Sequence, residues 1–458
     1  MTTASPQREL AEQRLAKHVT STQFEDLPAH TVERIKTYIA DTLSVGMAGT
    51  ATPEAKLLLQ TLKATDSESC VAVWGTDVGL SAPNAIIANA FNVHCQEYDC
   101  VHEGAVVHAM ATLLPVLMAQ TQAKPEIDGK ALIVAVAVGI DVACTLGMAA
   151  NHAMQFFRPA TAGGFGAVAG LAKLRNLSAD QVIAAWGFQL AQTSGTMQGH
   201  REGRPVLPLQ VSFNARAAWQ SCELAQSGLA SLDLPVSGEC GYLAMYEGDY
   251  SLEPLLDELG RTWRIDEFSH KPYPSGRATH AGVEGLMNLC QQHNLKADAI
   301  ASVVVTGPSL VNRLVNRPPL ANPSANYARL CMPFVLAKVM QHGHIEPRHY
   351  FDGELTDQTT YELSKKVSMK VDSNPDPNAF TPVVVEVTLD GGHTLQTEIS
   401  HMLASPKRAL TKEQCQEKFL RCCALSASDN NKLGKHPQAL FETLHQLENV
   451  GSVYALLA

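Results

Sequence analysis

Apolar positions in this chain recur with a helical period over most of its length. Across residues 6–50, Leu10, Leu15, Val19 and Phe24 share one face, and Val32, Ile35, Ile39, Leu43 and Val45 continue it. Helices are expected next over 53–64, 82–96, 106–122, 129–150, 163–174, 179–195 and 209–227. Pro83 sits at an acceptable early helical position, and Ser178-Ala179-Asp180-Gln181 is a helix start signal. Alanine and glycine recur where helices would have to approach closely. No period-2 run occurs before about residue 300, so the first 265 residues read as nearly all α.

The texture changes after Trp263. His270-Lys271-Pro272-Tyr273-Pro274-Ser275-Gly276 holds two prolines in three residues and breaks any helix. Beyond it, a helix is expected over 277–293, a strand over 300–306 and a helix over 328–341. Residues 367–371 and 383–389 alternate and are rich in β-branched side chains. Asp390-Gly391-Gly392 turns the second of these runs into His393–Ser400 as a hairpin. Helices return over 412–425 and 436–448. The expected architecture is mainly α. A large, discontinuous all-α domain (1–268 and 404–458) carries an inserted, smaller α/β lid domain (269–403), with a small-molecule cleft between them.

A chain of 458 residues suits two cores better than one. Net charge of −10 argues against nucleic acid but leaves room for an anionic small molecule held by local cations. The eleven cysteines are scattered without a CxxC pair and read as reduced thiols of a cytoplasmic protein. Met1–Arg14 has no apolar core of a signal peptide. Residues 131–150 are long enough to question as a membrane span, but Asp141 and many small residues favour a buried helix, and no membrane association is expected.

Only 17 % of the chain is charged, yet Glu97-Tyr98-Asp99-Cys100-Val101-His102-Glu103-Gly104-Ala105-Val106-Val107-His108 packs two imidazoles and three carboxylates between two apolar runs. Proton transfer is the reading that needs such density, since histidine titrates near neutrality and a neighbouring carboxylate sets its tautomer. A solvated loop with a capping aspartate is the plain alternative. Further on, Arg158 and Thr161 stand beside a glycine pair that opens a helix. Arg201 and Arg204 lie on an expected loop, and Lys271, Arg277 and His280 at the domain junction. Arginine grips carboxylates bidentately and lysine adds a point charge. His102 and His108 lack zinc-like spacing, and no phosphate loop, dinucleotide fingerprint or nucleophile elbow occurs. By elimination, the chemistry is proton abstraction beside a carboxylate without cofactor or metal.

These motifs resemble a known family. His94-x-x-Glu97-Tyr98-Asp99, His102-Glu103-Gly104-Ala105-Val106-Val107-His108, Phe157-Arg158-Pro159-Ala160-Thr161-Ala162-Gly163-Gly164, residues 203–211 and Lys271–His280 are similar, in the same order, to the signature of the MmgE/PrpD family. The resemblance implies a helical domain built from both chain ends, a smaller lid, a homodimer and no metal or iron–sulfur cluster. It implies dehydration, decarboxylation or epimerisation of a small carboxylate. Glu97 stands where decarboxylating members carry an aspartate, His108 at their histidine after the acidic run, and Lys271 at the lysine opening the lid. Arg158, Val101 and Phe334 replace a histidine, a threonine and a tyrosine.

The expectation is a lyase, either a dehydratase or a decarboxylase, acting on a small di- or tricarboxylate. His108 or His102 moves the proton, and Asp99 or Glu97 orients the imidazole. Arg158, Thr161, Arg204, Lys271 and Arg277 hold the substrate. An isomerase using two histidines and an inactive carboxylate-binding protein are the alternatives.

Overall fold

The computed structural model describes residues 10–67, 70–351, 353–426 and 435–456. The chain is mainly α. The expected opening helix starts at Ala11 and is interrupted before Pro28, giving Ala11–Ser21 and Ala29–Gly49; its expected first residues, 6–9, lie outside the described residues. Pro53–Thr65, Ala82–His94, Ala109–Ala123, Gly129–Met148, Ala162–Leu174, Ala179–Gln192 and Val206–Gln226 follow, each near its expected span.

These helices share one extended core, in which Leu15, Ile39, Leu113, Val138, Phe165 and Trp186 are fully sequestered. Small residues permit the closest crossings. A Cβ on Gly49 would stand 2.0 Å from the carbonyl oxygen of Asn92, so the helices ending at Gly49 and His94 meet only because Gly49 has none. The helix Gly129–Met148 is apolar and long enough to cross a membrane, yet it is largely buried here among its neighbours. Its one acid, Asp141, is satisfied by His18 Nε2 at 3.0 Å and by the Arg264 backbone N–H. The C-terminal helix Lys412–Ala424 packs back onto Ala29–Gly49, where Lys418 pairs with Asp41 at 2.7 Å.

A second hydrophobic cluster draws mainly on residues 278–402. Four strands run in the order Val367–Val371, Ile300–Gly307, Val383–Leu389, Thr394–Ile399. The first two are parallel; the others are antiparallel. The hairpin turns through Gly392 at φ +80°, as its sequence predicts. His280–His293 and Met332–His342 cover the sheet. The helix expected over 328–341 is broken at Leu330 and Cys331: Ala325–Arg329 forms one short helix, and Met332–His342 starts anew with Pro333 in its first turn.

The sequence pattern missed one small element that matters. Val101–His102 pairs antiparallel with Phe268–Ser269, which ties the acid-rich loop to the segment carrying Lys271 and Arg277. Two-residue strands carry too little periodicity to register.

Candidate active site

The acid-rich loop leaves the helix Ala82–His94 and returns into Ala109–Ala123. Glu97 takes φ +51°, a left-handed conformation that costs a non-glycine residue about 1–3 kcal/mol. It turns the chain so that Asp99 points back under His94. Asp99 is fully buried and holds two histidines through the same ring atom: Nδ1 of His94 at 3.1 Å and Nδ1 of His108 at 3.0 Å. The two rings stand edge to face, 4.8 Å apart.

Burial would raise the Asp99 carboxyl, but His108 and His94 outweigh it and hold it well below the usual range. An ionised Asp99 only accepts, so each Nδ1 carries its proton and each Nε2 is the free nitrogen. The histidines then diverge. Burial dominates at His108 and lowers its pKa despite Asp99. At His94 burial is outweighed by Asp99 and Glu97 together, and its pKa rises. Glu97 Oε1 lies 3.6 Å from His94 Nε2, and Glu97 Oε2 accepts from Lys271 Nζ at 2.8 Å. Burial opposes ionisation of Glu97, but Lys271 and then the two histidines overcome it, bringing its pKa to about 2.

A cavity of about 50 Å³ opens over this group. Glu97, His108, Phe157, His200 and Arg277 line it, together with Ala278 and Phe380 of the second hydrophobic cluster. A larger groove, about 1030 Å³, runs past Lys130, Lys173 and Trp219, but acids and bases are interspersed along it and none forms an acid–base couple with a histidine.

Cations surround the cavity in different states. Lys271 is spent on Glu97, with Asp99 at 4.0 Å. Arg277 Nε donates to Glu103 at 2.7 Å, and its Nη1 to the His270 and Leu403 carbonyls, while Nη2 has no partner among the described residues. Arg317, 117 residues from His200 in sequence, donates through Nη2 to His200 Nδ1 at 3.2 Å and to the His200 carbonyl. Its Nη1 is buried without a partner, and no carboxylate pairs with it among the described residues.

Several expected site residues stand elsewhere. His102 Nδ1 accepts from the Ala105 N–H at 2.9 Å, and its Nε2 meets Glu267 at 2.7 Å, so both nitrogens are used in holding the loop and neither faces the cavity. Arg158 does not reach it either. Its guanidinium is buried against Glu247, with contacts at 3.0–3.1 Å, and donates to the Ala105 carbonyl. Thr161 lies in the same network, its hydroxyl 3.1 Å from that of Tyr242, which donates to Glu247. Arg204 is exposed, outside the cavity lining. Phe334 stacks on Tyr350 at 5.9 Å, away from the cavity. Glu97, Asp99, His108, Lys271 and Arg277 do converge.

His94, His200 and Arg317 are additions. His94 ends an apolar run and reads as its cap; the signal was its place in the motif with Glu97 and Asp99. Nothing in the sequence joins His200 to Arg317.

His94, Asp99 and His108 each place a ligand atom within 4.8 Å of the others, as do exposed His344, half-buried Glu346 and buried His349. In the first group, each Nδ1 is directed at Asp99, a carboxylate–imidazole pairing that fixes the orientation of both rings. What the arrangement offers is a histidine base backed by an ionised carboxylate, at a cavity edged with arginine.

Comparison with known proteins gives a consistent result. The family model for the MmgE/PrpD N-terminal domain matches residues 13–255, and that for the C-terminal domain matches 273–436. Human cis-aconitate decarboxylase is 26 % identical over 406 residues, covering 85 % of this chain and 82 % of its own. A cis-aconitate decarboxylase-like protein of Aspergillus oryzae is 24 % identical over 471 residues, covering 97 % and 96 %. Cis-aconitate decarboxylase of Aspergillus terreus is 23 % identical over 458 residues, covering 94 % and 93 %.

Proposed function

On the premise that this chain belongs to the MmgE/PrpD family, we propose that it is a lyase acting on a small di- or tricarboxylate, with His108 moving the proton at the carbon α to a carboxylate. The observation that carries the reading is His108 itself. Asp99 fixes its Nδ1–H at 3.0 Å, and the ring lines a cavity shared with Arg277. The names of the relatives support a carboxylate substrate and a carboxy-lyase as one form of the reaction.

In a dehydration, Nε2 of His108 takes the α-proton, the electron pair forms the double bond, and hydroxide leaves the neighbouring carbon. In a decarboxylation, the carbon–carboxylate bond breaks, its electron pair remains on carbon, and a proton held on Nε2 is delivered there. A lowered His108 pKa favours the abstraction-first order at neutral pH. Lys271 stays paired with Glu97, and Arg277 holds a substrate carboxylate through Nη2, a donor free to do so. Residues 269–403 act as a lid over the helical part, which opens the cavity for entry. The protein works as a homodimer without cofactor, and light scattering of the purified protein tests the dimer.

Incubation with citrate, 2-methylcitrate, cis-aconitate and smaller dicarboxylates in D₂O, followed by NMR, tests the reading. Loss of water or CO₂ from one of them is expected. Deuterium exchange with the skeleton intact would instead make the enzyme an epimerase, and no change in any of them would overturn the substrate class.

A further inference from the structure

Two histidines line the cavity, and opposite partners hold them. Asp99 accepts from Nδ1 of His108, which leaves that ring a bare Nε2 lone pair. At His200 the partner is the guanidinium of Arg317, which has only donors to offer. Nδ1 of His200 must therefore accept, and its proton must sit on Nε2. The carboxylate-backed ring is set as a base, the guanidinium-backed ring as a donor. Burial and then Arg317 bring the His200 pKa to about 4, so the ring is neutral near pH 7.

Arg317 adds charge to the same corner. It is buried, stacks over Tyr327 at 5.1 Å, has an unpartnered Nη1 and pairs with no carboxylate among the described residues. A buried cation without a counter-ion is costly unless something anionic visits it.

We propose that His200 is a neutral hydrogen-bond donor to a substrate carboxylate opposite His108, with Arg317 as the positioning residue that fixes its tautomer and supplies the balancing positive charge. This rests on the carboxylate reading above and names a group that touches the substrate. As the α-proton leaves toward His108, charge moves onto the carboxylate oxygens. A neutral N–H in the cavity wall stabilises that charge without giving up its own proton. Removing one such donor commonly costs about 10²–10³-fold in kcat.

The test is ¹⁵N NMR of histidine-labelled wild-type protein, read from pH 8 to 5 with and without saturating cis-aconitate. His200→Gln assigns the His200 signals, and His200→Asn replaces it should the first variant not fold. Three results are expected: a neutral Nε2–H form of His200 persisting to about pH 5, the opposite Nδ1–H form for His108, and a shift of the His200 Nε2 signal on adding cis-aconitate. Arg317→Gln should raise the His200 pKa toward 6.5 and allow both tautomers. Protonation of His200 near pH 6.5 in the wild type, an Nδ1–H tautomer, or no response to cis-aconitate would overturn the proposal. If the shift occurs but no carboxylate is turned over, the donor role stands and the lyase reading falls.

Discussion

Asp99 Oδ2 lies 3.0 Å from Nδ1 of His108, and both side chains are buried. With Asp99 ionised, that one contact fixes the tautomer of the ring and leaves Nε2 as the basic nitrogen. His108→Ala should reduce kcat at least a hundredfold, the usual contribution of a positioned acid–base group. Asp99→Asn should lower kcat more than it changes KM, because the amide no longer demands a proton on Nδ1. Steady-state kinetics of the two variants checks this; unchanged kcat in His108→Ala removes the residue from the reaction.

The direction of the His108 shift gives a pH profile with a defined sign. Its pKa is lowered from 6.5 by burial, with Asp99 opposing. If His108 abstracts first, activity is full above that value and falls as pH drops through it. If it delivers a proton first, activity rises over the same interval. Removing Asp99 takes away a raising influence, so in Asp99→Asn the residual limb moves to lower pH. The kcat/KM profile from pH 4 to 8 reads both points.

Lys271→Met should expose the cost of a buried, unpaired Glu97. In the wild type the Glu97 pKa is lowered from 4.5 to about 2, so the pair stabilises the fold fully above pH 4.5 and loses that contribution as pH falls toward 2. Without Lys271 the carboxyl rises, stability at pH 7 drops, and the acid-dependent loss shrinks. Urea unfolding of wild type and variant at pH 7 and pH 4 measures this.

The burial of Arg158 against Glu247 predicts a role in stability rather than in substrate binding. Its pair with Glu247 is buried on both sides, and breaking such a pair by removing one partner costs about 3–5 kcal/mol. Arg158→Met should therefore lower the urea midpoint. At temperatures where the variant is folded, KM should stay within a few-fold of wild type; a large rise in KM would return Arg158 to the site.

The helices were legible because their apolar stripes are long, and the hairpin because Asp390-Gly391-Gly392 has turn chemistry. The density of acids and imidazoles in 97–108 marked the loop, but not which imidazole works. His102 and His108 look alike in sequence and part only in the fold, where Glu267 and the Ala105 N–H take both nitrogens of His102. Arg158 carried every sequence mark of an anion-binding cation, and its partner Glu247 lies 89 residues away. The same distance problem hid Arg317 behind His200. Pairings across such separations follow from packing, which one sequence does not print.

The proposed reaction requires His108 to move a proton at a carbon beside a carboxylate. The most direct measurement compares wild type with His108→Ala in D₂O, following the substrate found in the carboxylate panel by ¹H NMR. In the wild type, decarboxylation is expected to place one solvent deuterium at a single carbon, and dehydration to remove one substrate proton without placing any; in the variant either reaction is expected to be at least a hundredfold slower. Equal rates in the two proteins, or CO₂ lost with no solvent deuterium at any carbon of the product, would contradict it.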